Sequence, residues 1–469
     1  MRSENKNFLF NTVYQLLTFI IPLITTPYIS RVLGVENVGI YSYTYSVVYM
    51  FMLAGMLGIN NYGNRSIAAV RDDKEQMSRS FASIYLLQLG VCLVALIGYS
   101  IYLVFFCKEY KTIAVIQGLF LLSVCFDINW FYFGIEKFKL TIFRNLIIKL
   151  SSLALIFIFV KTRYDLPIYT FIMAGATLFS QLCLAVILPR YVVFVRISIK
   201  DITSHIKGVL VLFIPVLAFG IYKVMDKTML GTLSNVTELG FYENAEKLLN
   251  IPLAVITALG TVMLPRMSYL VSVNDNGYRA TIEKSMTLAM KMSTVMCCGL
   301  ILIANEVVVV LFGTEFLGSA GILKLLAITL LASAWANVIR TQYLIPLKKD
   351  RTYIFSTLWA AVLNFILNAI FIKKLGGVGA CIGTIAAEYF VALYQTVATR
   401  KELYYKIFLN NALDDFMKSI GMVVVAYFLT ISIANDIYRL LGKILISIVL
   451  FIALNRTYIV QEFFGIKQK

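Results

Sequence analysis

Two stretches, EKFKLTIFRNLIIKLSSLALIFIF (136–159) and KKDRTYIFSTLWAAVLNFILNAIF (348–371), follow one plan. A short basic run leads into about twenty apolar residues, the length that crosses the hydrocarbon core of a bilayer as a helix. A second pair, LGVENVGIY (33–41) and LGTLSNVTELGFY (230–242), recurs in the same order with a similar offset. Each member sets Leu-Gly, then an acid, then Gly and a tyrosine between two apolar runs. The offset, about 200 residues, encloses six membrane-length helices, an even number, so both copies share one topology. That predicts two six-helix bundles related by an axis along the membrane normal.

Apolar runs of the same kind fill the chain. Spans are predicted at 8–29, 39–59, 81–106, 113–133, 141–160 and 168–188, then at 208–232, 241–264, 286–312, 320–344, 353–372 and 380–399. A final pair at 419–434 and 444–460 lies outside the repeat, and the link Asn435–Lys443 reads as amphipathic. The fold class is therefore an all-α polytopic membrane protein of about fourteen transmembrane helices. Residues 1–190 form an N-lobe and 208–400 a C-lobe, with 191–207 as a cytoplasmic linker and 401–469 as a loop and two extra helices. Composition agrees: 60% of the 469 residues are hydrophobic and only 14% charged, against roughly 25% charged in soluble domains.

The net charge of +17 sits in short loops, which makes it a signal of topology and not of nucleic acid. Alternate loops hold 24 and 9 Lys/Arg, with nine more inside spans. The positive-inside rule places the richer side, with both termini, in the cytoplasm. Met1–Asn7 runs straight into a span with no small-residue cleavage site, so no cleavable signal is expected. The seven cysteines include no CxxC and mostly lie in apolar runs, as small core residues. The single histidine, His205, falls in a basic loop; alone it builds no metal site, and it reads as solvated.

Charges inside spans are costly and need a partner or a wet cavity. Span seven carries Lys223, Asp226 and Lys227, the lysines four apart on one face, a net-cationic wall. Span five shows Thr141, Asn145, Lys149 and Ser152 as one polar stripe; Lys149 lies about 12 Å in, while Arg144 near the inner end is placed to snorkel. Span one has Asn11, Gln15, Thr18, Pro22 and Thr25 on one face, and span seven has Pro215 at a comparable point. Such stripes suit either a cavity wall or helix–helix hydrogen bonding. Tyr41, Tyr45 and Tyr49 share a face of span two, as an aromatic belt or a sugar platform. Asp127 and Trp130 sit three apart in span four, and Lys247 can pair with Glu243 at i,i+4 in span eight. Glu306 and Glu388 read as isolated carboxylates.

No catalytic constellation emerges: there is no GxxxxGK[ST], HExxH or GxSxG, and the outer loops leave no room for a catalytic lid. The chain is expected to be no enzyme and to hold no cofactor or metal.

Four segments carry a resemblance: NYGNRSIAAVRDDKEQMSRSF (61–81), DINWFYFGIEKFK (127–139), DKTMLGTLSNVTELGFYENAEKL (226–248) and LPRMS (264–268). They resemble bacterial Wzx-type oligosaccharide flippases, in the polysaccharide-transport branch of the multidrug/oligosaccharidyl-lipid/polysaccharide exporter superfamily. The resemblance implies two six-helix lobes plus two helices. The implied activity is alternating-access flipping of undecaprenyl-diphosphate-linked repeat units of O-antigen, capsule or a similar polysaccharide. It implies a cationic lumen, drawn here from Lys149, Lys223, Lys227, Arg65, Arg144 and Lys247. Coupling to a proton or sodium ion would fall to Asp127, Asp226 or Glu243, with Asn11, Gln15, Thr18, Tyr41, Tyr45, Trp130 and Asn145 as cavity lining. The implied setting is the bacterial cytoplasmic membrane, beside glycosyltransferases and a polysaccharide polymerase. Flippases of the cell-wall precursor carry more arginines in span one, where this chain has only Arg31 at its outer end. An antiporter of the same fold would want an acidic cavity for cationic drugs, and a scaffold that transports nothing is the remaining alternative.

Overall fold

A computed structural model describes residues 2–273, 277–403 and 405–455, with side chains throughout except at 2–20, 214–215, 218–219, 221–223 and 406–413. Among the described residues every regular element is a helix. The first are α1 (Arg2–Met56), α2 (Ile59–Val70), α3 (Lys74–Phe105), α4 (Lys111–Cys125), α5 (Asn129–Gly134) and α6 (Phe138–Phe159). Next come α7 (Leu166–Ile187), α8 (Ile199–Ser204), α9 (Ile206–Leu233), α10 (Val236–Ser272), α11 (Gly277–Phe312) and α12 (Gly318–Ala327). The chain continues with α13 (Thr329–Ile339), α14 (Asp350–Leu375), α15 (Gly377–Thr399), α16 (Lys406–Thr430) and α17 (Asp436–Leu454). Eleven stretches of the described residues are long and apolar enough to cross a membrane. The protein is a multi-pass membrane protein.

Helix boundaries follow local chemistry. α1 is two helices joined at Gly34, whose φ of 79° suits a residue without Cβ. The stretch 33–41 is thus a turn, as expected, and its counterpart 230–242 carries the α9–α10 turn, where Asn235 caps Glu238 N at 2.8 Å. The expected loop after span two is partly helix. α2 buries Ile59, Gly63 and Ile67 at spacing four and exposes Asn61 and Arg65. The link at 435–443 is also helix. Asn435 caps Ile437 N and Tyr438 N, so α17 begins earlier than its apolar run.

Two compact units are present, Met1–Thr232 and Leu233–Lys469. α9, which opens the second bundle in the sequence repeat, packs inside the first unit. Thr228 Oγ1 donates to Ser46 Oγ at 3.0 Å, and Gly231 meets the Tyr43 ring so closely that a Cβ would lie 2.1 Å from it.

Span alternation is visible in which loops bond. In the first unit the loops expected on the cytoplasmic side meet: Arg71 pairs with Glu136 at 2.5 Å, and Val193 N donates to Ser78 Oγ at 3.1 Å. The opposite loops meet too, through Asn37 Nδ2 and the Arg163 carbonyl at 2.8 Å. In the second unit Lys349 pairs with Glu402 at 2.5 Å on one side, and Gly377 N donates to Glu238 Oε2 at 2.8 Å on the other.

The core of the first unit forms where span four breaks. α4 stops at Cys125 and α5 starts at Asn129, which frees carbonyls from the helical ladder. In hydrocarbon each must find a donor within the protein. Gln88 of α3, fully buried, donates through Nε2 to Val124 O at 2.7 Å and Asp127 O at 3.0 Å, and its Oε1 accepts from Trp130 Nε1 at 2.9 Å. Trp130 in turn stacks on Phe81, with ring centroids 5.5 Å apart, and fills the space over Gly63, where a Cβ would lie 2.4 Å away.

His205 corrects its expected solvation. It is half-buried, with Nδ1 2.8 Å from Tyr62 Oη and Nε2 2.9 Å from Ser83 Oγ, so it ties the α8–α9 junction to α2 and α3. Burial holds its pKa below the ordinary value, opposed by the nearby Asp201.

Two predictions follow from these contacts. Gln88→Leu removes three hydrogen bonds and takes the partner from the Asp127 carbonyl and the Trp130 indole N–H, and should cost about 3 kcal/mol, read as a lowered thermal unfolding midpoint in detergent. For His205 the unfolded chain binds the proton more readily than the folded one. Stability should therefore decline as pH falls below the ordinary histidine value of about 6.5. His205→Gln should lack that component of the pH profile.

Candidate functional site

α6 presents one face to lipid and another to the protein. Phe143, Ile147, Leu150, Leu155 and Ile158 are exposed, while Thr141 is buried and Asn145, Lys149 and Ser152 are half-buried on the other side. The predicted stripe thus faces inward. Arg144 does not snorkel outward; it turns into the bundle. Its Nη2 donates to Asn145 Oδ1 at 2.7 Å and Asn129 Oδ1 at 3.0 Å, and its Nη1 to the Ser180 carbonyl at 3.0 Å. Asn129 Nδ2 donates to Asp127 Oδ1 at 2.7 Å and to Gln181 Oε1 at 3.1 Å. Residues from the α4–α5 break, α6 and α7 thereby form one polar network within the membrane segment. It links a carboxylate to a guanidinium through an amide, with the second α6 cation, Lys149, one turn beyond Asn145. Neutral amides between the two charges spread their interaction over several short dipoles, so neither is buried bare.

Sequence reading found three members, Asp127, Arg144 and Asn145. It missed Asn129, Ser180 and Gln181, although Ser180 and Gln181 are adjacent polar residues in an apolar run and so were detectable. Trp130 is a correction. It has no exposure and lines no cavity here, because its indole is the roof of the Gln88 core. Tyr41 and Tyr45 are half-buried and near-parallel, with centroids 6.1 Å apart; Tyr41 also meets Tyr169 of α7 and Tyr45 meets Phe120 of α4. They are internal rings of the first unit. Arg65 is exposed on α2. Asp226 and Lys227 are half-buried on α9, and both have partners. The side chains of Lys223, Pro215, Asn11, Gln15 and Thr18 lie outside the described residues.

In the second unit Lys247 pairs with Glu243 at 3.3 Å, as its i,i+4 spacing predicts. Glu388 is not isolated; its Oε2 accepts from Ser333 Oγ at 2.9 Å. Glu306 is also engaged: its Oε1 lies 2.7 Å from Lys443 Nζ, with both side chains buried, and Arg439 approaches at 3.9 Å. Lys291 of α11 pairs with Asp415 of α16 at 3.2 Å. The signal for the Glu306 pairs was the 3 and 4 spacing of Asp436, Arg439 and Lys443 on one helix face. Among the described residues no group of three or more His, Cys, Asp or Glu could hold a metal ion.

These features are shared with known proteins. A candidate O-antigen transporter of Escherichia coli (strain K12) is 23% identical over 394 residues, covering 83% of this chain and 95% of that protein. Among solved structures, the lipid II flippase MurJ in an inward closed conformation has a TM-score of 0.73 at 17% identity, covering 96% of this chain and all of the other. An inward-facing multidrug resistance MATE family transporter of the MOP superfamily has a TM-score of 0.57 at 14% identity, covering 82% of this chain and 97% of the other. These likenesses establish the fold, a MurJ/MATE-like arrangement of helices. The model of the family described as "Polysaccharide biosynthesis protein" matches residues 5–271, more than half of the sequence, and the chain therefore belongs to that family.

Proposed function

We propose that this protein is a flippase that moves undecaprenyl-diphosphate-linked oligosaccharide repeat units across the bacterial cytoplasmic membrane by alternating access. The observation that carries the reading is the polar face of α6, where Arg144 turns into an apolar bundle toward one carboxylate, Asp127, with Lys149 half-buried further along the same helix. Such a face balances positive. Basic groups replace water around a diphosphate through charge-assisted hydrogen bonds while the lipid tail stays in the bilayer. The family and the relative described as a candidate O-antigen transporter support the same reading. A cationic drug would want the opposite charge, which disfavours antiport of such compounds on this fold.

Both termini are cytoplasmic in this reading, on the strength of the basic bias of the loops. The moving bodies are the two repeat lobes, 1–190 and 208–400, joined by 191–207, with 401–469 accessory and all fourteen helical spans crossing the membrane. The contact of α9 with α1 is then made in one state of the cycle and broken in the other. Lys223 and Lys227 of α9 join the cationic set, with Lys247 and Arg65 nearer its ends. A diphosphate carries about two negative charges, so its outward movement across an inside-negative membrane is downhill by roughly 4–5 kcal/mol per 100 mV. Influx of a proton or sodium ion through Asp127, Asp226 or Glu243 would add to that drive. The substrate's suppliers would be glycosyltransferases, and its consumer a polysaccharide polymerase.

Two measurements check the reading. In cells that depend on this protein for a surface polysaccharide, Lys149→Ala and Lys227→Ala should each lower that polysaccharide about tenfold, the factor set by one charge-assisted hydrogen bond, at unchanged protein level. Full surface polysaccharide in the double variant would refute a cationic path. In a background without the native cysteines, Ser46→Cys with Thr228→Cys replaces two hydroxyls 3.0 Å apart. Oxidation should stop export and a reductant restore it, whereas export by the cross-linked form would show that α9 and α1 never part.

A further inference from the structure

α11 is fastened to both C-terminal helices by pairs of opposite polarity, Lys291 with Asp415 of α16 and Glu306 with Lys443 of α17. Beside the second pair lies a cavity of about 480 Å³ walled by α11, α12, α16 and α17. Its polar end holds Lys324, Arg439 and Lys443 against one carboxylate, Glu306. Lys443 is committed: it pairs with Glu306, donates to the Leu302 carbonyl at 3.0 Å and lies 5.7 Å from the centre of the Tyr427 ring. Arg439 donates through Nε to the Ile433 carbonyl at 2.7 Å and is only loosely held by Asp436, at 3.5 Å on the rim. Lys324 is half-buried in the wall, with no carboxylate or hydrogen-bond partner among the described residues. Counting Asp436, the cluster has three cations and two acids. It is poised for an anion.

Apart from Asn305 and the Tyr427 hydroxyl, the rest of the lining is apolar. Val424 and Phe428 of α16, and Ile431 just past its end, line the cavity and are exposed, Phe428 at 65%. A ligand entering here would keep hydrocarbon against α16 while its charge reaches Lys324 and Arg439. We propose that this cavity binds the phosphate headgroup of a membrane lipid, with Lys324 and Arg439 as its two donors and the Glu306–Lys443 pair as the fixed floor. The binding would hold the accessory helices to α11. On the orientation proposed above, the cavity opens to the outer leaflet. Binding itself requires neither that orientation nor transport, so the two readings fail separately.

The test uses the full chain in detergent and native mass spectrometry with three probes: dioleoylphosphatidylglycerol, its uncharged counterpart dioleoylglycerol, and inorganic phosphate. The phospholipid should bind and the diacylglycerol should not. Inorganic phosphate should fail to displace the phospholipid, because it lacks the chains that lie on α16. Lys324→Ala and Arg439→Gln should each weaken phospholipid binding about tenfold, the factor for one charge-assisted hydrogen bond. Both variants leave the Glu306–Lys443 pair intact, and an unchanged unfolding midpoint would confirm that the fold is kept. Equal binding by variants and wild type would overturn the proposal, as would tight binding of dioleoylglycerol. Displacement by inorganic phosphate at matched concentration would assign the site to a free anion instead of a lipid.

Discussion

Gln88 holds the first unit together at the point where a membrane-spanning helix stops and restarts. Within hydrocarbon a broken helix exposes carbonyls that no water can satisfy, and one amide side chain donates to two carbonyls at the break, Val124 O and Asp127 O, while its oxygen anchors Trp130. The break is what brings Asp127 and Asn129 off the helix axis, where they meet α6 and α7. The polar network and the Gln88 clamp therefore share one break: Gln88 bonds its backbone, and Asp127 and Asn129 reach from it toward α6 and α7.

The same constraint organises the rest of the protein. Three of the described charges that lie in the helices are answered locally. Arg144 has two amide oxygens and a carbonyl, Lys291 has Asp415, and Glu306 has Lys443. These pairs are weak arguments for stability, because desolvation offsets much of their Coulomb attraction. They are strong determinants of register, since sliding α16 or α17 by one turn along α11 would leave two ions bare in hydrocarbon. Small residues act in the complementary sense. Gly231 admits the Tyr43 ring and Gly208 admits Tyr62, so α9 lies closer to its neighbours than side chains would allow.

Much of the fold was legible because membrane helices are written in length and hydropathy. The turn at 33–41, the alternation of loops between the two ends of the helices and the Glu243–Lys247 bridge all follow from spacing alone. What stayed hidden depends on partners distant in the chain. Arg144 sits near a helix end, where a long cationic side chain ordinarily reaches for headgroups, and only the amides of Asn129 and Asn145 turn it inward. Trp130 reads as amphipathic until Gly63 and Phe81 close over it. The amphipathic run before Lys443 looks like a loop until Glu306 appears opposite, and then its charges become the buried face of α17. His205 is polar by type, yet two hydroxyls from other helices take both of its ring nitrogens.

What unites these features is a membrane protein that keeps polar residues inside its helical units, in a family of polysaccharide biosynthesis proteins and on a MurJ/MATE-like fold. The central claim is that a lipid diphosphate bearing sugars crosses the bilayer through this chain. The most direct measurement places the purified protein in liposomes with a fluorescently labelled undecaprenyl-diphosphate oligosaccharide in both leaflets, then adds an impermeant quencher outside. With an imposed inside-negative potassium diffusion potential, and no pH or sodium gradient, the account predicts quenching of nearly all the label at a rate that rises with the potential. Quenching that stops at the externally exposed half, as in protein-free liposomes, would contradict it.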